Sequence, residues 1–243
     1  MSSDFRDADK SWQHRAPTGA AVIGVDAGLR QFMLRVYNFM AAGLALTGLV
    51  AYGAIVTGFY QLIAGTPLIW LVILAPLGLV LLLSFRIERM SVGAAQAAFW
   101  GYAGLMGLSL AGIFLVFTGA SIARVFFITA ATFAATSLYG YTTRRDLSRF
   151  GSFLFMGLIG IIIASLVNIF IASSALQFAI SVIGVLVFTG LTAWDTQRIK
   201  EVYFAGDPGA VSSKKAVMGA LTLYLDFINL FIMLLQLTGQ RRE

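Results

Sequence analysis

Long apolar runs separated by short polar links dominate the pattern of this chain. Seven runs can be marked: Phe32–Tyr60, Pro67–Phe85, Gly93–Phe117, Ser121–Tyr141, Phe150–Phe170, Leu176–Trp194 and Leu221–Leu237. Each is close to the ~20 residues that a helix needs to cross about 30 Å of hydrocarbon. The runs are nearly continuous and show little alternation of period two. A span in lipid must satisfy its own backbone hydrogen bonds, so the pattern predicts helices rather than a transmembrane barrel. The expected class is an all-α polytopic membrane protein. One membrane domain should cover 32–243, behind a polar, mobile cytoplasmic tail over 1–31.

The links carry charge unevenly. Placing the N-terminus in the cytoplasm puts 14 of the 17 Lys and Arg residues inside, and leaves only Arg124, Arg241 and Arg242 outside. That bias sets the orientation, and seven full spans then put the C-terminus outside. The two closing arginines argue mildly for the alternative, a last segment that enters and returns. The longest link, Gln197 to Lys215, is expected on the cytoplasmic side, with AGDPGAVSSKK as its breaker run.

Composition narrows the chemistry. The chain is 59% hydrophobic and 12% charged, against roughly 45–50% and about 25% for a soluble domain. The net charge of +6 reflects basic cytoplasmic links, so no nucleic-acid partner is inferred; the partner is the lipid bilayer. There is no cysteine, and the single histidine, His14, lies in the tail. Haem, zinc and thiolate chemistry therefore lack ligands in the spans, and no cofactor is expected. No span holds a lysine for a Schiff base.

What remains is carboxylate chemistry. Asp226 lies in the last run and Asp195 closes the preceding one, in LTAWDTQRIK. An acid inside a span is costly and marks an ion path, proton relay or catalytic site. Gly219, Thr222, Asp226, Asn229, Met233 and Gln236 are spaced three and four apart, so they share one helical face. That small and polar stripe should face a bundle interior, with Asn229 and Gln236 serving as interhelical hydrogen-bond partners. As drawn, Asp226 lies about five residues inside the last run, roughly 7–8 Å. Consecutive antiparallel helices would bring both acids to the cytoplasmic half. If they meet, two anions in a low dielectric share a proton, and deprotonated they offer oxygen ligands to Ca²⁺. The plainer reading of Asp195 is a solvated helix end paired with Arg198. Arg86 is a candidate counter-charge, or else an ordinary positive-inside anchor.

LTAWDTQRIK followed by LTLYLDFINLFIMLLQLTG resembles the paired C-terminal signature of the transmembrane Bax-inhibitor family. Tyr139–Phe170 is similar to the region of the fourth and fifth helices in its bacterial members. The resemblance covers roughly Phe32 onward. It implies a seven-helix fold whose last helix is central and wrapped by the other six. It implies a pH-sensing pair at Asp195 and Asp226 that gates a Ca²⁺ leak. It implies a latching arginine, best matched by Arg86 with Arg89 as neighbour. A bacterial inner membrane location follows, with Ca²⁺ and protons as the ions. Eukaryotic relatives are associated with suppression of cell death and with Ca²⁺ release from the endoplasmic reticulum. Some bacterial relatives interact with a membrane-bound ATP-dependent protease. The functional expectations are thus a pH-regulated leak, supported by Thr222 and Asn229 beside the pair, or a regulatory partner of membrane proteolysis or stress. An intramembrane aspartyl protease is a remote third. Leu223, Tyr224 and Leu225 stand where such an enzyme has a Gly-x-Gly turn before its second acid.

Overall fold

Backbone groups in lipid have no water to bond, so the apolar runs close their hydrogen bonds locally as helices. The computed structural model describes residues 19–242, with side chains from Ala27 onward. The expected tail therefore lies, over 1–18, outside the described residues. In chain order the helices are α1 (Gly19–Val56), α2 (Phe59–Ala64), α3 (Leu68–Arg86), α4 (Val92–Leu110), α5 (Ile113–Val116), α6 (Gly119–Thr142), α7 (Ser148–Ile171), α8 (Ser174–Glu201) and α9 (Gly209–Thr238). A 3₁₀ turn, Ile87–Arg89, follows α3. Seven of these are long and apolar enough to cross a membrane. The protein is an all-helical integral membrane protein.

Local chemistry places the helix starts. Ser91, Thr118 and Ser173 cap α4, α6 and α8, each accepting a bond from the backbone N–H three residues on. Gly58, at φ 75°, turns the chain from α1 into α2 in a conformation that side chains disfavour. One boundary departs from the sequence expectation. α8 runs on to Glu201 and α9 starts at Gly209, so the link is 202–208 rather than Gln197–Lys215. Of the breaker run, only AGDP, 205–208, lies outside the helices. The Lys215 ammonium holds the hairpin shut, 2.6 Å from Asp207 and 2.9 Å from the Val202 carbonyl.

A larger share of α9 is buried than of any other span. Its main neighbours are α8, α1, α6 and α4, whereas α3 packs chiefly on α4 and α7 chiefly on α8. The last helix is therefore central, but its immediate ring has four members; α3 and α7 form an outer layer. Leu223, Tyr224, Phe227 and Leu230, away from the polar stripe, are buried in the bundle, while Thr222, Leu225 and Asn229 are half-buried. Lipid tails are as apolar as leucine, so burial inside a bilayer has no hydrophobic driving force, and close packing with buried polar bonds takes its place. Tyr224 illustrates both. Its ring lies edge-on to Tyr102 at 5.5 Å and to Phe99 at 6.3 Å. Its hydroxyl is 2.6 Å from Thr47 Oγ1, which also donates to the Ala103 carbonyl. Large apolar side chains such as Phe85, Phe153 and Phe170 point outward, as a lipid-facing surface requires.

Candidate functional site

Asp195 lies near the end of α8, two turns before the 202–208 link, and Asp226 lies mid-way along α9. The sequence places Asp226 about one turn into its span. The helix in fact begins at Gly209, so the acid sits deeper in the bundle. Antiparallel packing of α8 on α9 brings the two carboxyls within hydrogen-bonding reach of each other. Both residues are buried, at 8% and 5% exposure.

Among the described residues, no donor serves this pair. The hydroxyls of Thr192 and Thr196 donate to carbonyls of their own helix, at Phe188 and Thr192. Thr222 and Asn229 donate to Met218 and Leu225, again within their own helix, so Asn229 is not the interhelical bridge its position suggested. Asp226 Oδ2 is buried with no partner. A carboxylate only accepts, and here it faces another acceptor. Leaving such an oxygen unmatched is expensive. A shared proton or a cation resolves the conflict.

Arg198 lies one turn beyond Asp195 on the same helix and forms no ion pair with it. Its guanidinium lies 5.4 Å from the centre of the Trp194 ring. Arg86 and Arg89 are both exposed at the end of the peripheral α3, and neither forms an ion pair with Asp195 or Asp226. Sequence reasoning gave Lys214 no role beyond a basic loop residue. Its ammonium donates to the Glu88 carbonyl at 2.8 Å and approaches that of Met90, tying the α3–α4 link to α9.

A cavity of about 720 Å³ opens at this basic end of the bundle and reaches Asp195, with Glu88, Arg198, Met218 and Thr222 in its wall. Asp226 lies behind Asp195. Two carboxylates do not make a resident Ca²⁺ cage, which needs six to eight oxygens. No group of three acidic or imidazole ligands occurs among the described residues. The donor set fits a proton or a passing cation rather than a structural metal. The helix is unbroken at Asp226.

The family model described as "Inhibitor of apoptosis-promoting Bax1" matches residues 29–243. Among the similar curated proteins, the inner membrane protein YbhL of Escherichia coli K12 is 48% identical over 94% of this chain and 99% of its own length. The uncharacterized protein RP147 of Rickettsia prowazekii is 52% identical over 90% of this chain and 93% of its own length. An uncharacterized membrane protein of Streptococcus pyogenes is 37% identical, covering 88% and 95%.

Proposed function

This chain belongs to the Bax1-inhibitor family, and from that premise we propose that it is a pH-regulated cation leak of the bacterial inner membrane, with Ca²⁺ as the permeant ion and the Asp195–Asp226 pair as its sensor. The observation that carries the reading is the buried Asp226 oxygen with no donor, facing a second carboxyl at the floor of an open cavity. With one proton between them, the carboxyls tie α8 to α9. With that proton gone, two anions repel in a low dielectric, and the helices part. The protonated pair is thus the closed state, and flux rises with pH. Arg198, one turn away on the same helix, is the candidate counter-charge in the conformation described. The latch role of Arg86 belongs to a conformation in which the end of α3 moves towards the pair. The excess of Lys and Arg at the cavity end supports a cytoplasmic cavity and N-terminus, with the C-terminus outside.

The test is Ca²⁺ flux from proteoliposomes across pH. Asp226→Asn replaces the shared proton by a permanent amide–carboxylate bond, so flux should stay low and lose its pH dependence. An unchanged pH profile in both Asp195→Asn and Asp226→Asn would sink the mechanism.

A further inference from the structure

The contact between α8 and α9 does not end at the two acids. Moving away from the cavity, the seam passes Phe188 and Leu230, both buried and packed in one cluster with Met233. About 10 Å beyond Asp226, at 1.5 Å per residue, Met233 lies against Gly184. A Cβ at that glycine would come within 2.7 Å of the Met233 Cγ and Sδ. Past this point the seam is polar again. Gln177 Nε2 donates to Gln236 Oε1 at 2.6 Å, and the Ser181 hydroxyl donates to the same oxygen at 3.3 Å. Gln177 Oε1 in turn accepts from Asn168 at 3.1 Å. One helix pair thus carries acids at one level, an apolar plug in the middle and an amide cluster at the far end.

We propose that the route past the acid pair runs down the α8–α9 seam and that Met233, seated in the notch left by Gly184, is its gate. The proposal rests on the leak reading above and adds the path and the barrier. A short apolar stretch between polar ones closes a pore by excluding water. Met233 suits the task because its thioether is unbranched and changes rotamer easily. Swinging it out of the notch clears the plug at this level of the seam. Gly184 is what allows the side chain to seat; any larger residue there displaces it.

The chain has no cysteine, so single cysteines report cleanly. Asn229→Cys places a thiol between the acids and the plug. Gln236→Cys, on the exposed side of the plug, identifies the face from which a membrane-impermeant methanethiosulfonate arrives. From that face, Asn229→Cys should be protected, and adding Met233→Ala should raise its labelling rate several-fold. Met233→Leu, similar in volume, should restore protection. Leu186→Ala, on the outward face of α8, controls for general loosening and should leave protection intact. Labelling unchanged by Met233→Ala, or raised equally by Leu186→Ala, overturns the gate. Ca²⁺ flux in the same vesicles judges the leak separately. A labelled but non-conducting Met233→Ala protein would uphold the gated route and reject Ca²⁺ as its cargo.

Discussion

At the scale of single residues, the decisive feature is an acceptor facing an acceptor. Asp226 Oδ2 has no donor, and an amide in its place would give Asp195 one. A hydrogen bond to a charged group contributes about 1.5–3 kcal/mol, so Asp226→Asn should raise the thermal midpoint in detergent at neutral pH; a lower midpoint would contradict the geometry. A further carboxyl, Asp146, lies outside the spans and obeys ordinary linkage. Its Oδ1 accepts from the Ser148 backbone N–H at 2.8 Å at the start of α7. Bonding to Ser148 holds the carboxyl below its usual range. A depressed folded value means that its contribution is complete above the unfolded value, about pH 4, and is lost as pH falls through the folded one. NMR titration of Asp146 should give a midpoint below that of the unfolded chain, and Asp146→Asn should remove this part of the acid dependence. Asp226 was legible in the sequence because a charge inside an apolar run is costly in lipid, whereas Asp195, at the end of its run, was equally open to the reading of a solvated helix end. Arg86 was less legible. Sequence locates it at a helix end but says nothing about whether that helix is central or peripheral.

Between elements, glycine sets how closely helices approach. A Cβ on Gly140 would overlap the backbone carbonyl of Ala193, fixing α6 against α8 immediately beside Asp195. Backbone cannot rotate away as a side chain does, so Gly140→Ala should cost about 1–3 kcal/mol, as overpacking does, and should separate the helices. Gly160 on α7 has nothing within 4 Å of the same position. Gly160→Ala should therefore leave the unfolding transition in detergent nearly where it was, and equal effects at the two sites would refute the close approach. Glycines alone do not announce this difference, since both sit in similar apolar runs. Helix ends were blurred for a related reason. The Ser-Ser-Lys-Lys stretch at 212–215 reads as loop, yet Lys214 and Lys215 bond carbonyls of the neighbouring links and are carried on the first turns of α9. Tertiary partners decided where that helix begins.

Over the whole molecule, the seven runs look alike by hydropathy; the polar and small residues along the last one, and the family resemblance, pointed to its central place. The fold also gives physical sides to the charge bias. Arg30, Arg35, Arg86, Arg144, Arg198 and Lys214 collect at the end where the cavity opens, beside the 87–91, 143–147 and 202–208 links. At the other end, the backbone of Gln240 and Arg242 pairs with Thr118 and Val116, tying the C-terminus to the α5–α6 link. An uninterrupted α9 therefore carries the chain from one end of the bundle to the other, which removes the returning segment as an option. Positive links resist translocation, so the basic end should stay in the cytoplasm. Alkaline phosphatase fused after Glu243 should be active, because that enzyme folds only where disulfides form. The same reporter inserted at 204–206 should be inactive. The opposite pattern would invert the molecule and place the cavity, the acid pair and its protons on the outer side.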